Sequence, residues 1–291
     1  LVHVLGTNSI RTEDIDFYPS QPGNWKIPDP SLQLHGRYYY PVGFHPEKKY
    51  PCILMFHGRG RNLEDNDYFA RKLASRGIVT LYVSFRGHGE SGGKFDVAQT
   101  NANRTFGDAL GAYRVLMNKT FVDEKRILAH GTSMGGGIST YLALEGLVNA
   151  IVAWYPALGY ISGKTPLYER KLPKSFEKGL IIAGTADECE KCLPEFNQAF
   201  VDENPSVRLE WIEGATHTDS RYFLDCVKSS TDWIMNYWEI TPLCWVMDLY
   251  VQGILGGILL VMILVGDFLI LTLRKFSDVN EGEGGWEDPL D

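Results

Sequence analysis

The chain has 291 residues, of which 44% are hydrophobic and 22% charged, and it carries a formal net charge of −8 at pH 7. That makeup belongs to a folded protein large enough to bury a full core. The acidic balance, with no cluster of Lys and Arg interleaved with aromatics, excludes a phosphate-backbone partner, so no nucleic acid is expected.

Taken in chain order, IRTEDIDFYP and LQLHGRYYYPV read as half-exposed antiparallel strands joined by a region rich in Pro and Gly. PCILMFHG (51–58) is a short apolar run ending in Gly; residues 63–76 have helical character, and IVTLYVSF (78–85) is again β-branched and aromatic. A helix over 104–117, the strand RILAHG (126–131), a helix over 134–144 and the strand AIVAWYP (150–156) follow. The series ends with GLIIAG (179–184), a helix over 194–200, VRLEWI (207–212) and an amphipathic helix over 220–237. Strands alternating with helices of this length imply an α/β fold whose mostly parallel sheet is covered on both faces.

Beyond this series the composition changes. Residues 249–266, LYVQGILGGILLVMILVG, carry no charge, and the apolar run resumes after Asp267 up to Arg274-Lys275. The stretch 249–273 meets the length needed to cross a bilayer, shows no amphipathic stripe, and carries Trp238, Trp245 and Tyr250 on its entry side in the position of interfacial anchors. It is expected to be a transmembrane helix. Arg274-Lys275 put the tail in the cytoplasm and the large domain outside; the sequons beginning at Asn103 and Asn118 fit an external domain. The chain thus divides into a catalytic domain over 1–240, a transmembrane helix with flanks over 241–275 and an acidic, disordered tail over 276–291. Gly253-x-x-x-Gly257 and Asp267 are the positions expected to meet a partner helix. Residue 1 is Leu and no apolar signal core follows, which reads as a mature or truncated start.

Two segments match G-x-S-x-G: Gly131-Thr-Ser133-Met-Gly135 and Gly89-Glu-Ser91-Gly-Gly93. Roughly one chain in seven of this composition would carry such a match by chance, so the setting has to separate them. Ser133 follows a strand and precedes a helix, where the chain must reverse and glycines let backbone pass close to backbone. Ser91 has no helix to enter, and its glycines read as a loop on the same edge of the sheet.

A serine hydroxyl needs a base for its proton, and the base needs a carboxylate to hold its tautomer. Asp187 lies just after GLIIAG and His217 just after VRLEWI, each at a strand end and in the chain order Ser133, Asp187, His217. Glu188 and Glu190 compete as the acid but lie farther from the strand; His57, His88 and His130 compete as the base but do not follow the last strand. For the developing oxyanion, the backbone N–H of Met134 heads the next helix, and the turn His57-Gly58-Arg59-Gly60 offers a second donor, by position the Arg59 amide. Of the five cysteines, Cys52, Cys189, Cys192, Cys226 and Cys244, only Cys189 and Cys192 have ligand-like spacing. One C-x-x-C without a second pair does not make a structural zinc site, so a loop-stapling disulfide or free thiols are expected and no metal.

The segments FHGRGRN, SFRGHGESGG, HGTSMGGG, GTAD and GATH together resemble the α/β-hydrolase superfamily, in its dienelactone-hydrolase and prolyl-oligopeptidase-like branch, over roughly residues 35–238. The resemblance implies an eight-stranded, mostly parallel sheet, a Ser133, Asp187, His217 triad, and Arg59 and Met134 as oxyanion donors. The segment from 157 to 178 is too short for a large lid, so only a short cap is expected. The expected function is hydrolysis of small-molecule or lipid esters without a cofactor, falling off as pH drops near about 6.5. A peptidase or amidase using the same triad, or a hydrolase-fold subunit of a membrane assembly, are the alternatives.

Overall fold

The structure is a computed structural model that describes residues 10–21, 24–95, 103–162 and 164–241. Eight strands form its main sheet: β1 (Arg11–Phe17), β2 (Leu34–Tyr40), β3 (Tyr50–Phe56), β4 (Val79–Val83), β5 (Val122–Thr132), β6 (Ala150–Trp154), β7 (Lys178–Gly184) and β8 (Val207–Ile212). Their order across the sheet is β1-β2-β4-β3-β5-β6-β7-β8. The first two strands join antiparallel, and every pair from β4 to β8 is parallel.

Among the described residues, five helices cover the sheet: α1 (Asp67–Ala74), α2 (Asn103–Met117), α3 (Met134–Leu144), α4 (Pro194–Glu203) and α5 (Phe223–Tyr237). Side chains alternate along each strand, so Leu54 and Phe56 of β3 enter the core layer under α2, α3 and α4, whereas Ile53 and Met55 enter the layer under α1 and α5. A strand buried on both faces has no polar positions to spare, which is why the central strands appear in sequence as unbroken apolar runs.

Three expectations change. The strand β2 is not half-exposed but buried along nearly its whole length, because it pairs with β1 on one side and β4 on the other and sends Tyr38 and Tyr39 into opposite core layers. The helix expected over 63–76 is shortened to α1: residues 63–66 form turns, and the Asn66 side chain donates to Thr132 Oγ1. Trp238, expected as a membrane anchor, is 8% exposed and packs into the core layer under α5.

Between β6 and β7 the cap is slight: a two-stranded ribbon of Ile161–Ser162 and Thr165–Pro166, then one 3₁₀ turn over Leu167–Glu169. Among the described residues no helix is long and apolar enough to cross a membrane; the stretch 249–273, with Gly253, Gly257 and Asp267, lies outside them, as do Trp245 and Tyr250.

Candidate active site

The parallel strands end along one edge, and their last residues lead into loops that meet there. The sharpest turn follows β5. Ser133 has φ 54° and ψ −113°, a conformation that L-residues rarely adopt, and three backbone hydrogen bonds hold it there. Its N–H donates to Trp154 O (2.8 Å), while its carbonyl accepts from Gly137 N (3.1 Å) and Ala157 N (2.9 Å). Glycine is obligatory on both sides. A Cβ on Gly131 would fall 2.2 Å from the carbonyl of Gly135, and one on Gly135 would fall 2.2 Å from the carbonyl of Phe56.

The loops after β7 and β8 are joined by their backbones. Thr185 N–H donates to Ile212 O (3.1 Å) and Ala186 N–H to Ala215 O (3.0 Å), so pairing continues past the sheet edge. This places Asp187 beside His217, whose Nδ1 lies 2.9 Å from Asp187 Oδ2. His217 Nε2 lies 2.9 Å from Ser133 Oγ. The three residues singled out in the sequence therefore form one hydrogen-bonded row. When His217 is neutral, Nδ1 donates to Asp187 and Nε2 presents its lone pair to the serine hydroxyl. The second oxygen of Asp187 accepts from Cys189 N–H (2.9 Å). Glu188 and Glu190, the competing acids, line the cavity without joining the row.

Burial pulls the His217 pKa down, but hydrogen bonds to Asp187 and Cys189 outweigh it and hold it at about 9. Hydrogen bonds from Cys192 and His217 hold the Cys189 thiol low, at about 4, against the opposing effect of burial. The neighbouring Cys192 is pushed up, first by its hydrogen bond to Cys189 and then by burial. None of the four described cysteines is in a disulfide, and Cys244 lies outside the described residues.

The three histidines that compete as the base have structural work. His57 is fully buried, and burial drives its pKa down to about 3, so it is neutral. Its Nε2 accepts from Phe85 N–H (3.0 Å), which makes Nδ1 the donor to Gly58 O (2.7 Å). His88 does the same one loop over: Nε2 accepts from Gly60 N–H (3.2 Å) and Nδ1 faces Arg86 O (3.0 Å). Two imidazoles thus fix the turn that carries Arg59, a role that the sequence reading missed because nothing in the spacing of histidines reports which carbonyl each will meet. His130 is likewise buried, with its pKa lowered to about 3 by burial and Nδ1 on Val152 O (2.9 Å).

The expected oxyanion donors flank the serine. Met134 is the first residue of α3, where an N–H has no partner within the helix. Arg59 lies in the turn after β3, beside Gly58, where an added Cβ would stand 3.6 Å from Ser133 Cβ. Arg59 and Ser133 line one cavity of about 750 Å³, walled by Tyr155, Tyr160, Trp154 and Phe223.

Ser91 lies, as expected, in the loop after β4 on this edge, but it is 7% exposed, its Oγ donates to Ser84 O (2.6 Å) and accepts from His35 N–H (2.8 Å), and it does not line this cavity. Both sides of its hydroxyl are occupied by backbone.

Sheet order, sharp turn and hydrogen-bonded row define the class: the chain has the α/β-hydrolase fold. Residues 67–157 match the prolyl oligopeptidase family, a segment that holds Ser133 and Met134 but neither Asp187 nor His217. The Escherichia coli (strain K12) protein YcjY is 30% identical over 118 residues, which are 40% of this chain and 38% of that protein. Among solved structures, Thermogutta terrifontis esterase 2 superposes with a TM-score of 0.62 at 19% identity, covering 81% of this chain and 97% of the esterase. A Bacteroides ovatus ATCC 8483 chain provisionally named dipeptidyl aminopeptidase IV gives 0.61 at 20% identity, over 78% of this chain and 36% of the other. At these identities the structural likeness concerns the fold. The matched part of the chain spans well under half of YcjY.

Proposed function

We propose that the protein is a membrane-anchored serine hydrolase that cleaves carboxylic esters through an acyl-enzyme on Ser133. The observation that carries this is the row Ser133 Oγ, His217 Nε2 and Nδ1, Asp187 Oδ2, with 2.9 Å at each step. Ser133 Oγ attacks the ester carbonyl carbon and its proton passes to His217 Nε2. The carbonyl oxygen becomes an anion facing the amides of Met134 and Arg59. The intermediate collapses, the alcohol leaves with the proton from His217, and the acyl group stays on Ser133. Water then repeats the sequence, giving its proton to His217 and releasing the acid.

An ester substrate is favoured by the slight cap, which leaves the cavity open to small or surface-presented acyl groups, and by the Thermogutta protein, an esterase that this fold covers almost end to end. One observation favours a second reading, a peptidase or amidase with the same row: the family matched over residues 67–157 is that of prolyl oligopeptidase. The anchor is the apolar stretch 249–273, in which Asp267 is the single charge, with the tail beyond Arg274-Lys275 in the cytoplasm and the catalytic domain outside.

The test is covalent labelling by a fluorophosphonate. Labelling is expected in the natural sequence and in Ser91→Ala, and lost in Ser133→Ala; labelling that survives Ser133→Ala overturns the assignment. Paired p-nitrophenyl esters and peptide amides of graded length then separate the two substrate classes.

A further inference from the structure

The C-x-x-C that lacks a second pair in the sequence gains a third partner from the fold. Cys189 Sγ, Cys192 Sγ and a ring nitrogen of His217 all lie within 4.8 Å of one another. Cys192 Sγ is 4.0 Å from His217 Nε2 and 4.0 Å from Ser133 Oγ. Tetrahedral zinc, with Zn–S near 2.3 Å and Zn–N near 2.0 Å, keeps such atoms about 3.5–3.8 Å apart. The gap to close is therefore small, within what rotation of two cysteine side chains supplies.

The surroundings fit a metal better than an accidental cluster. His217 Nδ1 is already bonded to Asp187, and a carboxylate behind the second nitrogen is the usual support of a metal-ligating histidine. The turn bearing the sulfurs is held from three directions. Cys192 N–H donates to Cys189 O (2.7 Å), Cys189 N–H to Asp187 Oδ1 (2.9 Å), and the Asn197 side chain to Cys192 O (3.3 Å). Two sulfurs and one imidazole select zinc over calcium or magnesium, which take oxygen.

We propose that Cys189, Cys192 and His217 bind a zinc ion that holds the enzyme inactive, with water or Ser133 Oγ in the fourth position. Each cysteine coordinates as thiolate, releasing its proton to solvent if it was a thiol. The metal takes the Nε2 lone pair, the same pair that would accept the serine proton, so Ser133 is left without a base. The inhibitory half rests on the serine-hydrolase reading above; the metal site does not.

The experiment uses the full chain in mild detergent, reduced and stripped of metal, titrated with zinc and separately with cobalt(II). Bound metal, the cobalt spectrum and fluorophosphonate labelling are followed together. Expected are about one zinc per chain and the sulfur-to-cobalt charge-transfer band of a tetrahedral thiolate site. Labelling should fall at least about 10-fold at saturating zinc and return with a chelator. Cys189→Ser and Cys192→Ser, checked by circular dichroism for folding, should each weaken zinc binding at least about 10-fold. Each should also keep more of its own zinc-free labelling rate at a given zinc concentration. A folded, reduced chain that binds no stoichiometric zinc, or serine variants that bind it equally well, overturns the site. One bound zinc with undiminished labelling overturns the inhibition. One bound zinc in a chain that never labels leaves the site standing and removes the hydrolase reading.

Discussion

The imidazole of His217 is pulled two ways, by burial toward neutrality and by Asp187 and Cys189 toward charge, and the partners prevail at about 9. A general base works only when neutral, so activity should rise with pH through the alkaline range, not level off just above the usual histidine value near about 6.5. The chemical-step rate is expected to climb between pH 7 and 9, and Cys189→Ser, which removes one of the raising hydrogen bonds, should shift that limb to lower pH. A limb that stays put in the serine variant would exclude Cys189 as its cause. At Arg59 the proposed donor is backbone, so Arg59→Ala should leave the acylation rate within a few-fold, whereas Arg59→Pro, lacking the N–H, should lose roughly 10²–10³-fold in kcat. Equal losses in the two variants would point to the guanidinium. Ser91→Ala strips a buried hydroxyl from His35 N–H and Ser84 O, at an expected cost of about 1–3 kcal/mol in denaturant unfolding with labelling retained.

Among the elements, the turn between β5 and α3 concentrates the strain. Ser133 at φ 54° costs about 1–3 kcal/mol, which glycine would relieve apart from about 0.4–1 kcal/mol of unfolded-chain entropy. Ser133→Gly should therefore be about 1 kcal/mol more stable than Ser133→Ala in urea unfolding, and equal midpoints would argue that the turn is relaxed. This element was legible because its requirements are local: a β-branched and apolar strand, a glycine at each close approach, then a helix. Asp187 and His217 were legible for a related reason, since each directly follows a strand whose type the sequence betrays. What the sequence could not report depends on contacts across the fold. The burial of β2 comes from its two neighbours, the work of His57 and His88 from carbonyls on other loops, and the meeting of Cys192 with His217 from the joined backbones after β7 and β8. Trp238 misled for the same reason: a tryptophan near an apolar run and a tryptophan capping a core helix look alike until α5 is packed.

At the scale of the molecule, the membrane reading is tested by its geometry. If the catalytic domain lies outside and the tail inside, protease added to intact cells should remove the fluorophosphonate-labelled domain and spare an epitope placed after Arg274-Lys275. Asn118, exposed at the end of α2, should then carry a glycan that a glycosidase removes. A labelled domain protected until the membrane is opened would reverse the orientation.

The order of the sheet carries a mechanical corollary. Ser133 stands over the centre, after β5, whereas His217 hangs from β8, which among the described residues lies at the border, pairs only with β7 and leaves Trp211 39% exposed. Border strands fray at lower free energy than central ones. Turnover should thus vanish at a urea concentration below that at which the bulk ellipticity changes. The serine hydroxyl would persist in an intact turn but with no base beside it, so that catalysis serves as a strain gauge for the outermost strand.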